Sequence, residues 1–125
     1  MVDSLGEQHI WGPQSPTALI CQGAVQLFRD YTGKGPPQAR VSLKDELVLI
    51  VLRGTLTKAE LNLAAAGCGE EVLKLRDAAQ GAMRDQLVAL VEQQLGRKVE
   101  AFFSHNSIDP DLAVELFVLD GSNEP

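Results

Sequence analysis

The chain has 125 residues and a mass of 13.5 kDa, with a formal net charge of −6 and a pI of about 4.8. That length holds one domain with one core, and a composition 45% hydrophobic and 22% charged excludes a disordered or coiled-coil chain. The acidic balance argues against nucleic-acid backbones and anionic membrane surfaces as partners.

Residues 1–16 mix Gly, Pro, Gln and Ser around Trp11 without a period and predict a flexible leader. A single domain is expected over 17–120, with 121–125 as a tail. No signal-peptide h-region opens the chain, and the longest apolar run, Leu47 to Leu52, falls far short of the ~20 residues of a membrane span. Cys21 and Cys68 are too few for a disulfide framework, and neither lies in a CxxC pair. The expected address is the cytoplasm, with both thiols reduced.

From Thr17 to about Tyr31, Ile20, Ala24, Leu27, Phe28 and Tyr31 recur at helical spacing behind Pro16, a good first helical residue. The run Thr32-Gly33-Lys34-Gly35-Pro36-Pro37 ends that helix. A half-exposed strand, Gln38 to Leu43, and a central strand, Leu47 to Leu52, follow as a hairpin about Lys44-Asp45-Glu46. Thr57-Lys58-Ala59-Glu60 has the pattern of a capping box and predicts a short helix to Ala66. After Gly67-Cys68-Gly69 a long helix is expected to near Gly96, with Val72, Leu75, Ala79, Met83, Leu87 and Leu90 as its apolar stripe. Val99 to Ser104 then reads as a strand, His105 to Asp111 as a turn, and Leu112 to Leu119 as a closing strand alternating at Val114, Leu116 and Val118.

The halves echo one another as helix, glycine with a basic residue, strand, acidic turn, strand. The fold class that results is α+β: a two-layer sandwich, with a four-stranded mainly antiparallel sheet from two hairpins, helices on one face, and an αββ duplication as one origin.

Four constellations are candidates for chemistry. The Thr32-Gly33-Lys34-Gly35 turn joins flexible backbone N–H groups to a cation, which suits either an anion nest or a plain helix cap. Arg40, on a strand, could grip a planar oxyanion through its guanidinium fork, or lie in solvent, or pair with Glu100 or Glu115. His105 to Asp111 gathers a histidine and two carboxylates but too few ligands for a metal, and Asn and Asp also suit a simple turn. Cys68 precedes a helix start, where a thiol can be activated, but no histidine is near in sequence. No nucleophile elbow, zinc-protease, EF-hand or dinucleotide signature is present, so neither catalysis nor a cofactor is expected.

Arg29-Asp30-Tyr31, Thr32-Gly33-Lys34-Gly35-Pro36, Ala39-Arg40, Asp45, Leu47 and Val48 closely resemble the first half of the MpsC-like family, the Na+-translocating membrane-potential-generating proteins. The second half agrees through Gly54, Leu56-Thr57, Glu60, Met83-Arg84-Asp85, Gly96-Arg97-Lys98-Val99, Ala101-Phe102 and Asp109 to Glu115. The likeness runs in order from about Thr17 to Leu119 and leaves the leader unmatched.

The resemblance implies a small partner of a membrane complex for inorganic carbon or cations, or of a signalling protein, not the transporter itself. It implies a regulatory, non-enzymatic domain, and the open edges of a four-stranded sheet predict a homodimer. If bicarbonate is the ligand, its holders would be Arg40 with Gly33, Lys34 and Gly35, helped by Arg97, Lys98 or Asn106. A four-atom ligand is limited to ~6 kcal/mol, or a Kd no tighter than ~0.05 mM. The alternative is a purely structural docking partner with no small ligand. A small enzyme using Cys68 is the third reading, tested by the pKa of that thiol.

Overall fold

Helix α1 (Pro16–Thr32) opens at Ser15, whose hydroxyl accepts from the Ala18 N–H while Pro16 takes the first turn. In this computed structural model, which describes residues 15–121, Pro16 thus belongs to the helix and Ser15 caps it; the rest of the expected leader and residues 122–125 of the tail lie outside the described residues. The other elements are β1 (Gln38–Lys44), β2 (Leu47–Arg53), α2 (Lys58–Ala65), α3 (Gly69–Leu95), β3 (Val99–Ser107) and β4 (Leu112–Leu119).

The strands form one antiparallel sheet in the order β1-β2-β4-β3. Each hairpin supplies one outer and one inner strand, and the two halves meet along the β2–β4 ladder. Helices α1 and α3 pack on one face of the sheet, which makes the expected α+β two-layer sandwich. Both αββ halves end their helix at a left-handed glycine, Gly33 at φ 82° and Gly96 at φ 66°, the conformation in which a side chain would be strained.

The core lies between the layers: Ile20, Ala24 and Phe28 from α1, Val48, Ile50 and Leu52 from β2, Met83, Leu87 and Val91 from α3, and Ala113 and Phe117 from β4. Phe102 and Phe117 are cross-strand partners whose rings lie 5.0 Å apart.

Three expectations are corrected. The buried stripe of α3 is Val72, Arg76, Gln80, Met83, Leu87 and Val91, whereas Leu75 is 56% exposed and Leu90 only half-buried. An apolar-only stripe missed this register because two inward positions are polar and find buried partners. In β4 the core-facing set is Ala113, Glu115, Phe117 and Leu119; Val114, Leu116 and Val118 alternate on the other face. Strand β3 runs to Ser107, so His105 and Asn106 are strand residues and the turn is confined to 108–111, where the Asp109–Pro110 bond is cis.

Candidate functional site

Two features stand out, one on each face of the sheet. On the covered face, a line of polar groups runs where α3 crosses the sheet. Glu115 is fully buried and accepts from the Ser104 hydroxyl at 2.6 Å and from the Gln80 amide; Gln80 in turn accepts from Asn106, whose amide also reaches Asp77 at 3.3 Å. No cation among the described residues pairs with the carboxylate. Burial pushes its pKa up to about 7, and the bonds from Ser104 and Gln80 pull back only part of that rise.

One turn earlier on α3, Arg76 is 1% exposed and pairs with Glu60 at 3.1 Å while donating to the Thr55 carbonyl. Glu60 also closes the capping box of α2, accepting from the Thr57 N–H at 2.9 Å. Asp111 accepts from the backbone N–H groups of Thr55 and Leu56, so the β2–α2 loop is tied to the β3–β4 turn. Nε and Nη1 of Arg76 are buried without a hydrogen-bond partner among the described residues.

The other face of the sheet carries no helix among the described residues. Directly paired residues point to the same side of a sheet, so the register defines its cross-strand rows. The central strands contribute Leu49, Val51, Val114 and Leu116, all half-buried, and β3 adds Phe103, which is 58% exposed. Arg40 and Lys44 of β1 and Arg53 of β2 share this face and are exposed. No Asp or Glu occurs in any of its four rows.

The residues proposed to hold an anion do not come together. Lys34 donates to the Leu56 carbonyl at 3.0 Å, at the end of the sheet where β2 leaves it. Arg97 donates to the carbonyls of Asp45 and Asp120, at the opposite end. Seven-residue strands separate the two by about 20 Å. Gly33 caps α1, and the Arg29 guanidinium lies against Gly35 so closely that an added Cβ would meet Nη2 at 2.7 Å. Lys98 is exposed near the Arg97 end, and its carbonyl accepts from the Asp120 N–H. Asn106 is turned to the covered face by α3.

Arg40 stands alone of that set on the uncovered face, opposite Val51; Glu115 faces the other way, so the two cannot pair. Arg53, not anticipated, is its diagonal neighbour on the same face. Neither guanidinium has a hydrogen bond or ion pair with any described residue. Cys68 is the N-cap residue of α3 and makes no side-chain cap bond. Cys21 is buried, with its thiol pushed up by desolvation and directed at the Ala39 carbonyl.

The fold and these faces define a small α+β sandwich with one polar-lined helical layer and one open, cation-edged sheet surface. Its family follows from comparison with known proteins: the chain belongs to the MpsC family, described as the Na+-translocating membrane potential-generating system, whose family model matches residues 15–121. No curated protein and no solved structure matches it. The family is linked to Na+-translocating membrane-potential generation, a transport association. No helix among the described residues is long and apolar enough to cross a membrane.

Proposed function

We propose that this domain is a non-catalytic accessory component of a Na+-translocating system and that it acts by docking through its uncovered sheet face. The observation that supports this is the face itself. Apolar side chains fill its centre although no helix of the described residues covers it, and burying one Leu or Val fully gains ~1.5–3 kcal/mol. A monomer does not gain from leaving such a patch in water, whereas a docking domain does. A homodimer through the outer strands β1 and β3 is compatible with this role, because edge pairing leaves the face open.

The test is association of the full chain with membranes that contain the transport system, measured by co-sedimentation. Leu116→Glu is expected to abolish it with the circular dichroism spectrum unchanged, while Leu75→Glu, at an exposed apolar site on α3 away from this face, leaves it intact. Equal sedimentation of both variants overturns docking through this face.

A second reading, a sensor of a small oxyanion such as bicarbonate, is favoured by Arg40 and Arg53, two guanidiniums in diagonal register with no partner among the described residues. Here the site is the Arg40–Arg53 pair, with Lys34 and Arg97 in structural roles. Calorimetric titration with bicarbonate is expected to show saturable binding that chloride, nitrate and phosphate do not reproduce and that Arg40→Ala removes. Silence at tens of millimolar bicarbonate rules this reading out.

A further inference from the structure

We infer that the occupant of the uncovered sheet face is an acidic amphipathic helix of a partner protein, an inference that rests on docking through that face. Asp and Glu outnumber Lys and Arg by 17 to 11 over the chain, yet the four rows of this face hold Arg40, Lys44 and Arg53 and no carboxylate. None of the three cations has a hydrogen bond or ion pair with any described residue. They stand on β1 and at the end of β2, to one side of the apolar centre formed by Leu116 and its neighbours.

A surface with that layout is read by a ligand that is apolar along one stripe and acidic beside it. A helix lying along β2 and β4 packs about 10 Å above the sheet, with an i, i+3/i+4, i+7 stripe on the leucines and valines. Its flank then overhangs β1, where Asp or Glu meets Arg40 and Lys44. A second copy of this chain fits worse. It brings the same cations and no carboxylate, so each copy would lose the hydration of three charges without a partner for any of them. An anionic bilayer supplies the charge, but the chain as a whole carries −6 and is repelled by it.

The probe is a designed helical peptide with leucine on one face and glutamate along both flanks, titrated into the full chain. A twin with lysine in place of glutamate, and vesicles containing phosphatidylglycerol, complete the set. The expected result is saturable binding of the glutamate peptide, with the lysine twin and the Arg40→Glu variant each weaker by roughly tenfold or more and increasingly so at low salt. Leu116→Glu is expected to abolish binding; Arg40→Glu, on an exposed edge strand, keeps the test independent of any folding defect in that variant. Equal affinity for the two peptides, capture by vesicles in their place, or a dimer that Leu116→Glu dissociates each overturns the acidic helix. The two levels fail separately. If Leu116→Glu still releases the chain from membranes while the lysine peptide binds as well, the face docks but not to an acidic helix; if Leu116→Glu leaves membrane association untouched, docking through the face fails as a whole.

Discussion

Replacing Arg76 with methionine is expected to destabilise the domain by about 3–5 kcal/mol, the range seen when one partner of a buried ion pair is removed. Methionine fills the volume of the alkyl stem, so the loss is electrostatic and not a cavity. The substitution strands Glu60, which is nearly as buried as Arg76, and removes the donor to the Thr55 carbonyl. Glu60 would keep its bonds from Thr57, but these donors are neutral and cannot balance a buried charge. In a domain of this size the loss reads as a fall in Tm of roughly 12–20 °C. The double variant Arg76→Met with Glu60→Gln restores part of it, since the glutamine still accepts from the Thr57 N–H and leaves no charge behind. Thermal unfolding of wild type, both single variants and the double variant gives the coupling. If the double variant is as unstable as the sum of the singles, the pair is not coupled and Arg76 acts only through packing.

What could be read from the chain follows from where its patterns are clean. Gly33 and Gly96 end their helices, Thr57 and Glu60 form the capping box, and the β1–β2 hairpin turns at Asp45, each from signals carried by a few adjacent residues. The sheet's two hairpins and its single helical layer followed from the order of these elements. The errors fall where a polar residue sits in an apolar period. Arg76 and Gln80 step in register from Val72 to Met83, but an apolar stripe skips them in favour of Leu75 and Ala79. Glu115 interrupts the core-facing alternation Ala113, Glu115, Phe117, Leu119, so the more uniform set Val114, Leu116, Val118 carries the visible alternation.

That second error has a physical cause with a functional consequence. Both faces of β4 are largely apolar, as expected of a strand covered on both sides, yet only one is covered by the described residues. The pattern therefore carried the second apolar face in plain view, and only the position of the helices could say which side it was. The assembly of Arg40 with Lys34 and Arg97 failed for a different reason: residues that echo each other in sequence were taken to converge in space. The antiparallel meeting of the halves along β2 and β4 sends Lys34 and Arg97 to opposite ends of the sheet.

Glu115→Gln is expected to stabilise the domain at neutral and alkaline pH and to leave it nearly unchanged in acid. In the folded chain the carboxyl titrates at about 7 against an ordinary 4.5, because burial opposes its charge and its partners Ser104 and Gln80 are neutral. As pH rises past 4.5 the unfolded chain releases its proton while the folded chain still holds it, so stability falls across the window from about 4.5 to about 7 and levels off above it. At ~1.4 kcal/mol per pKa unit, the full loss is about 3 kcal/mol. Glutamine imitates the protonated acid: its carbonyl accepts from Gln80, its amide donates to Ser104, and the serine hydroxyl rotates to accept. The variant thus lacks the pH-dependent loss and should unfold about 10 °C above wild type near pH 8, with the two curves converging near pH 4.5. Melting temperatures recorded for both chains across this range decide the matter, and parallel curves separated by a constant offset would show that Glu115 is charged, and tolerated, throughout.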